Sequence, residues 1–233
     1  MVSYFQIYLE WVIFLDARRT NTKEKIIEYA TDIITTQGYK ALSIRSITNS
    51  LGISSAAFYN HFKNKNELLD YLIQEISSKI YEDYILEKEK LPETSNSVDE
   101  LSFYLEYFLR YGQQFPLLND FLYLSDNALA ILAQEKFSSF SNSEHKLLYE
   151  GHRVITNLKN TYQLQLSTDK LHAKFWTFFH GYSSLLLTNV YQFNQTLVDD
   201  FIVDVIAGDI VKRENISVTS LSNTCPSNFS QKI

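Results

Sequence analysis

Apolar residues recur at three- and four-residue spacing along most of the chain, which is the pattern of amphipathic α-helices. Turn signals are sparse, because the 233 residues include only 3 Pro and 6 Gly, too few for a chain of many short strands. We therefore expect an all-α fold. The spacing predicts helices over residues 21–38, 43–51, 54–62, 64–87, 97–115, 117–124, 129–140, 143–166, 168–189 and 198–212.

Three of these predicted helices start with the spacing of a capping box, in which a polar side chain and an acidic one three residues later satisfy free backbone N–H groups. The pairs are Asn21 with Glu24, Asn64 with Glu67, and Ser97 with Glu100. Pro116 is expected to break the helix that Ser97 opens.

Residues 43–65 predict two short helices around a tight turn, which is a helix-turn-helix. Ser43 caps the first helix and Ser54 the second, and Gly52 supplies the left-handed conformation that the corner requires. Phe58 and Phe62 lie one turn apart and are expected to face inward. That orientation leaves Ser55, Ala56, Ala57, Tyr59 and His61 available to solvent or to a groove of DNA.

The run Phe58-Tyr59-Asn60-His61-Phe62-Lys63-Asn64-Lys65, at this distance from Leu51-Gly52-Ile53-Ser54, resembles the TetR family of bacterial transcription regulators. The resemblance covers about residues 22–69. It implies a three-helix DNA-binding head with the helix-turn-helix at residues 18–66. It also implies a larger helical ligand-binding and dimerisation body at 67–213, whose first helix, 67–87, connects the two.

The resemblance places the DNA-contacting residues on the helix-turn-helix and at the start of the connecting helix. Ser55, Ala56 and Ala57 occupy positions that usually meet base edges, yet they offer one hydroxyl and two methyl groups. Either Arg45 and DNA shape supply the sequence preference, or DNA binding is weak. The expected DNA-binding residues are Ser43, Arg45, Ser54, Ser55, Ala56, Ala57, Tyr59, Asn60, His61 and Lys65.

The net charge of -6 is unusual for a DNA-binding protein until it is divided along the chain. Residues 18–65 hold eight basic and three acidic side chains, a net charge of +5, which leaves about -11 for the remainder. A basic head on an acidic body confines the phosphate-facing surface to the head.

Sixteen Tyr and sixteen Phe suit a pocket for an apolar or aromatic small molecule. The expected ligand-binding residues are Tyr104, Tyr107, Phe108, Tyr111, Phe121, Trp176, Phe179 and His180. A histidine on so apolar a helix is more often a satisfied core residue than a ligand contact, and we favour that interpretation of His180.

The stretch Phe-Trp-Thr-Phe-Phe-His-Gly-Tyr, residues 175–182, resembles the Trp-His-Gly type of TetR C-terminal domain. This resemblance implies that the last two long helices form a four-helix bundle with those of a second subunit. The expected interface residues are Phe178, Gly181, Tyr182, Leu185, Phe201 and Val205.

The two ends of the chain are expected to differ from its middle. Residues 1–17 form an apolar extension with Glu10 at its centre, which we interpret as an added amphipathic helix or a misassigned start, with membrane-surface contact as a third reading. Residues 214–233 are rich in Ser and Asn, and we expect them to be disordered. The single Cys225 cannot form an intramolecular disulfide, which agrees with a reducing cytoplasm.

No pattern typical of an enzyme is present: the sequence has no nucleophile elbow, no phosphate-binding glycine loop and no histidines at metal-ligand spacing. We therefore assign no catalytic residue, no metal and no cofactor other than an unknown small-molecule effector. The leading hypothesis is a cytoplasmic, ligand-responsive repressor that binds a palindromic operator in double-stranded DNA as a homodimer, without stable membrane association. The alternative is a TetR-like coactivator or protein-interaction module that has lost specific DNA binding.

Overall fold

The computed structural model describes residues 21–134 and 145–212. Within these ranges the chain forms α-helices joined by short loops, with one 3-10 turn at Tyr39–Ala41 and no strand, so the all-α prediction is confirmed. The helices are α1 (Thr22–Gln37), α2 (Ile44–Leu51), α3 (Ser55–Tyr59), α4 (Lys65–Lys88), α5 (Ser97–Gln114), α6 (Pro116–Leu124), α7 (Asp126–Gln134), α8 (Lys146–Thr161), α9 (Thr168–Leu187) and α10 (Gln195–Lys212).

Several predictions fall outside the described residues. They concern the N-terminal extension at 1–17, the tail at 214–233 with Cys225, and the part of the predicted helix 129–140 that follows Gln134. None of the described helices is both long and apolar enough to cross a lipid bilayer.

The helix-turn-helix forms as its local chemistry predicts. The Ser43 hydroxyl accepts a hydrogen bond from the Ser46 backbone N–H at 3.0 Å, and Ser46 accepts one from the Ser43 N–H at 3.1 Å, which caps α2 from both sides. Gly52 ends α2 with φ +63°, the left-handed conformation that a side chain would strain. Ile47 and Phe58 are fully buried at the corner between α2 and α3.

The predicted capping residue of α4 is confirmed, and the predicted capping residue of α5 is wrong by one position. Asn64 accepts from the Glu67 N–H at 2.9 Å. At α5 the cap is Asn96, which accepts from the Val98 and Asp99 N–H groups, while Asp99 accepts from the Asn96 N–H at 2.9 Å. Asparagine caps at least as well as serine, and this frees the predicted partner, Glu100, for an ion network.

Helix α3 ends at Tyr59 rather than at residue 62, and α7 begins at Asp126 rather than at Leu129.

Two boundaries in the second half of the chain also differ from the predictions. Helix α8 begins at Lys146 and ends at Thr161, rather than running from 143 to 166. Past its end, the buried Asp209 carboxylate accepts hydrogen bonds from the backbone N–H groups of Gln165 and Leu166 at 2.6 and 3.1 Å, which holds this segment as a loop. Helix α10 begins three residues before the predicted Val198, at Gln195.

Helix α5 is the centre of the body, and α8, α9 and α10 pack around it. The head reaches the body in two ways. The connecting helix α4 runs from the helix-turn-helix into contact with α8, and α1 packs directly against α6. These contacts place α4 and α6 between the head and the interior of the body.

A buried ion network ties α4, α5 and α8 together. Glu150 is almost fully buried and pairs with Lys88 at 3.1 Å and with Arg153 at 2.8 Å. Glu100 pairs with Lys88 at 2.7 Å and with Arg153, and it accepts from Asn157 at 3.1 Å. Two acidic groups meet two basic groups, so the network carries no net charge.

The Glu100 carboxylate is expected to make stability fall in acid. Burial alone would raise its pKa, but hydrogen bonds from Arg153, Lys88 and Asn157 outweigh burial and hold the pKa at about 2. Because a free glutamate titrates at about 4.3, Glu100 stabilises the fold above that pH, and this contribution, at most about 3 kcal/mol, is lost as the pH falls towards 2. Denaturant unfolding of wild type and Glu100→Gln at several pH values should show a difference that shrinks over this window; a constant difference would contradict it.

Candidate DNA-binding surface and ligand pocket

The outer face of the helix-turn-helix presents the small residues and one large ring. Ser55 and Ala56 are exposed and Ala57 is half-buried. The Tyr59 ring is 52% exposed and rests edge-on against the buried Phe58, at 5.6 Å between ring centroids. Tyr59 is thus held in place on one side and open on the other.

Arg45 is the exposed cation of α2. It is exposed on α2, and no ion pair joins it to another described residue. Asn60 is exposed at the end of α3, and His61 is half-buried beside it. Ser54 serves the helix itself, since its hydroxyl accepts from the Ala57 N–H at 3.1 Å.

The two lysines at the edges of the head are engaged with it. Lys65 is half-buried, its ammonium donates to the Tyr39 carbonyl at 3.5 Å, and burial lowers its pKa. Lys23 lies 4.8 Å from the Tyr71 ring centroid and 5.6 Å from that of Phe62. Lys65 must therefore leave its carbonyl partner before it can meet the phosphate that sequence reasoning assigns to it.

Helix α6 joins the head to the body. The Phe121 ring is fully buried and lies 5.8 Å from the Tyr39 ring of the head, between centroids. On the next helix, the Asn127 amide donates to the Asp70 carboxylate on α4 at 2.7 Å. Phe121 thus belongs to the contact between head and body and does not line the pocket predicted for it.

An apolar cavity of about 50 Å³ lies between α5, α6, α8 and α9. Four of the predicted ligand-binding residues line it, namely Tyr104, Phe108, Trp176 and Phe179. The lining residues that sequence reasoning missed are Leu101, Leu105, Tyr123, Leu147, Leu148, Gly151, Ile155, His172 and Phe175.

The pocket uses a different face of α5 from the one predicted. Leu101, Tyr104, Leu105 and Phe108 line the cavity at positions i, i+3, i+4 and i+7, which is one helix face. Tyr107 lies off that face and donates to the Asp83 carboxylate on α4, and Tyr111 stacks along Tyr107 at 6.4 Å between centroids. The helical spacing of Leu101, Tyr104, Leu105 and Phe108 is enough to mark this face in the sequence.

The same spacing appears on α9, where His172, Phe175, Trp176 and Phe179 line the cavity. His180 sits behind this wall, with its ring 4.6 Å from Trp176 and 6.1 Å from Tyr123 between centroids. Its Nε2 atom is buried without a hydrogen-bond partner among the described residues, and burial lowers its pKa. The interpretation of His180 as a satisfied core residue is therefore wrong for that atom.

His172 forms a pair that sequence reasoning also missed. Its Nε2 lies 3.2 Å from the Nδ1 of His152 on α8, and the two rings stack at 5.1 Å between centroids. Burial, with a smaller contribution from His152, lowers the pKa of His172 to about 4. The two histidines are 20 residues apart and lie on two helices, so no local sequence pattern predicts their contact.

The buried His172 should make the fold lose stability in mild acid. The unfolded chain takes up a proton near pH 6.5 while the folded chain takes it up near 4, so stability is full above about 6.5 and falls by at most about 3 kcal/mol as the pH drops to 4. His172→Phe keeps an aromatic ring and should flatten this part of the pH profile in denaturant unfolding. An unchanged slope between wild type and variant would contradict the assignment.

The predicted interface residues divide into two groups. Leu185 is 42% exposed, Gly181 is exposed, and Phe178 is half-buried with its ring stacked on Phe201 at 4.0 Å. Tyr182 and Val205 are instead buried within the chain, and the Tyr182 hydroxyl accepts from the Asn194 N–H at 2.7 Å. Tyr182 and Val205 therefore present no surface to a partner. The loop between α9 and α10 covers Tyr182, and Val205 lies on α10, which packs against α5.

The comparisons with known proteins agree with the geometry of the head. Residues 26–72 match the family model of the bacterial regulatory proteins of the tetR family. This segment holds the helix-turn-helix, so the head is similar to the regulators of the tetR family. It is 29% identical over 85 residues to an uncharacterized HTH-type transcriptional regulator, YwcC, of Bacillus subtilis. That alignment covers 36% of this chain and 38% of the relative's length.

Solved structures extend the similarity of fold from the head to most of the chain. A putative tetR family transcription regulator from Shewanella sp. PV-4 has a TM-score of 0.55 at 15% identity, covering 80% of this chain and 96% of that one. RolR in complex with resorcinol has a TM-score of 0.53 at 14% identity, covering 81% and 87%. At such identities these structures show a shared fold alone. In the described part of the chain, no three His, Cys, Asp or Glu side chains are grouped to hold a metal ion.

Proposed function

We propose that this TetR-family chain is a ligand-responsive transcriptional repressor that binds a palindromic operator as a homodimer. The observation that supports this most is the capped helix-turn-helix, whose outer face carries Arg45, Ser55 and Tyr59 in the open while its inner face is fully buried. Tyr59 and Arg45 fit backbone contacts that set the register on DNA. Arg45 and DNA shape supply the sequence preference, since Ala56 and Ala57 offer only methyl contacts.

The homodimer is supported by apolar surface left on the last two helices. Leu185 on α9 and Leu197, Val203 and Ile210 on α10 are all at least one-third exposed. Two chains that join α9 and α10 in a four-helix bundle would cover this surface. Their heads would then enter successive major grooves, about 34 Å apart, on a two-fold symmetric site.

The effector site is the cavity between α5 and α9, and we propose an apolar or aromatic small molecule as its ligand. The lining is leucine, isoleucine and aromatic side chains with a few polar atoms, which is the composition of small-molecule sites. The RolR structure, of similar fold, holds a small aromatic molecule, resorcinol.

Helix α6 is placed to carry the signal. Tyr123 on α6 lines the cavity, and Phe121, two residues earlier, packs on Tyr39 of the head. A ligand that moves Tyr123 shifts the helix that α1 rests on, and α4 adds a second path through Asp70 and Asn127. Ligand binding changes the head spacing and releases DNA, because the ligand favours the conformation that does not fit the operator.

The competing function is a coactivator without specific DNA binding, and the small Ser55-Ala56-Ala57 face is the observation that favours it. Repeated selection of double-stranded DNA from a random pool by the full-length protein separates the two. The repressor proposal predicts an enriched inverted repeat with half-sites about one helical turn apart. Arg45→Ala should enrich this repeat much less strongly than wild type, while Arg110→Ala, on the body, should enrich it equally.

An enriched site without two-fold symmetry would remove the homodimer from the proposal and leave DNA binding. No enrichment by the wild-type protein at low salt would contradict the DNA-binding function and favour the coactivator. Once the operator is known, it can be placed across a promoter and transcribed with purified polymerase. Whether the protein lowers or raises the amount of transcript distinguishes repression from activation.

A further inference from the structure

A second apolar cavity, of about 30 Å³, lies beside the first, between α4, α6, α7, α8 and α9. The two cavities share four lining residues: Tyr123, Leu147, Leu148 and Trp176. The two cavities are therefore neighbours with a shared wall. Rotation of Tyr123 and Trp176 about their side-chain bonds would join the two spaces, and such rotations are fast compared with backbone rearrangement.

Neither cavity is built for a charged ligand. No Lys, Arg, Asp or Glu is among the described residues that line either one. The cavities contain one histidine each, His172 and His145. The charged groups next to Tyr104, in the network of Lys88, Glu100, Glu150 and Arg153, already neutralise one another. An ionised group in these cavities would lose its hydration without gaining a counter-charge.

We infer that the two cavities form one channel that binds an elongated, neutral, apolar molecule, with Tyr123 and Trp176 displaced by the ligand where the cavities meet. The inference rests on the proposed effector function and narrows its ligand class. The second cavity limits the length of the ligand. Ala128, which is buried, and Ile131, which is half-buried, line it at the end away from the first cavity. The near end is closed by α8 at Gly151, where an added Cβ would come within 2.8 Å of the Tyr104 hydroxyl.

Tryptophan fluorescence provides the test, because the chain has only two tryptophans, Trp11 and Trp176. In full-length protein with Trp11→Phe, the remaining signal reports the junction of the cavities. The probes are the straight-chain alcohols hexanol, octanol and decanol, with hexanoate, octanoate and decanoate as charged counterparts near neutral pH. The channel predicts affinity that rises about fourfold per added methylene, and carboxylates that bind about 100-fold more weakly than the matching alcohols.

Two cavity-filling variants locate the binding. Ala128→Leu fills the second cavity and should lower the affinity for decanol at least about tenfold, because two or more methylenes of the alcohol can no longer be buried. The affinity for hexanol should change little. Gly151→Ala narrows the first cavity and should weaken all three alcohols. Circular dichroism verifies that each variant folds, and Ile131→Phe replaces Ala128→Leu if the latter does not.

The outcomes separate this inference from the proposed function. The channel would be overturned if the affinity for the alcohols did not depend on their length, or if Ala128→Leu lowered the affinities for hexanol and decanol equally. Either result would leave a single effector pocket. Carboxylates that bind as tightly as alcohols would overturn the neutral ligand class alone. If no probe changes the Trp176 signal, the channel is overturned. The effector function is then tested separately, by small aromatic molecules that release the selected operator, and DNA selection still decides the function of the head.

Discussion

Glu150→Gln is expected to lower the free energy of unfolding by about 2–3 kcal/mol. The side chain is 2% exposed and holds Lys88 of α4 and Arg153 of α8 at once. Glutamine keeps the shape but removes the charge, so both cations lose their buried partner while retaining Glu100. The two cations are partly exposed, and water compensates for some of the loss, which places the value below that of a fully buried pair.

The matched control is Glu106→Gln, which breaks the surface pair with Arg110 at 2.7 Å on α5. Exposed pairs one helical turn apart contribute only about 0.3–0.5 kcal/mol. Urea unfolding followed by circular dichroism measures both variants under the same conditions. Equal losses for the two variants would show that the α4–α5–α8 network stabilises the body no more than an ordinary surface pair.

Arg45→Ala is expected to weaken operator binding by about 10- to 100-fold, the range for a contact of 1–3 kcal/mol to a base or phosphate. Arg45 is the exposed cation on the outer face of α2, and its loss leaves that face without a strong hydrogen-bond donor. Lys65→Ala should lower the affinity for the operator by less, because Lys65 must give up its hydrogen bond to the Tyr39 carbonyl before it can contact DNA.

The control for this prediction is Lys146→Ala, a solvent-exposed body lysine paired weakly with Glu82 at 3.6 Å. Fluorescence anisotropy with labelled operator gives the three affinities. If Arg45→Ala and Lys146→Ala bind as tightly as wild type, the recognition surface lies elsewhere. If Lys65→Ala costs more than Arg45→Ala, the connecting helix carries more of the binding than the α2 face.

The head could be predicted closely because its structure is set by local chemistry. Ser43 and Ser54 cap their own helices, Gly52 adopts the only conformation that the corner allows, and Phe58 faces inward by helical spacing. Each of these depends on residues fewer than five positions apart. The error at α5, where Asn96 displaced Ser97 as the cap, arose because two good capping residues are adjacent.

The body was predicted as helices but not as a site, because a pocket depends on which face each helix turns to its neighbours. On α5 the aromatic Tyr107 and Tyr111 suggested a ligand, whereas Leu101 and Leu105 line the cavity. Tyr107 is instead held by Asp83, 24 residues away on another helix. Periodicity identifies a buried face, but a tertiary contact decides whether that face meets a cavity or a packed helix.

The buried His152–His172 pair and the Lys88–Glu100–Glu150–Arg153 network show the same limit. Their partners lie on α4, α5, α8 and α9, and each side chain taken alone has the appearance of an ordinary surface or core residue. Only the packing of α8 between its neighbours brings the charges and rings together.

The central claim, that the head of this protein binds DNA as a TetR-type regulator does, is tested most directly by the salt dependence of operator binding. Anisotropy of the full-length wild-type protein with the selected operator is measured at several salt concentrations. A homodimer with about six phosphate contacts predicts an affinity that falls about 1,000-fold between about 50 and 200 mM salt, and a shallower slope for Arg45→Ala. Binding that is absent at low salt, or present but independent of salt, would contradict the regulator and support a protein-interaction module.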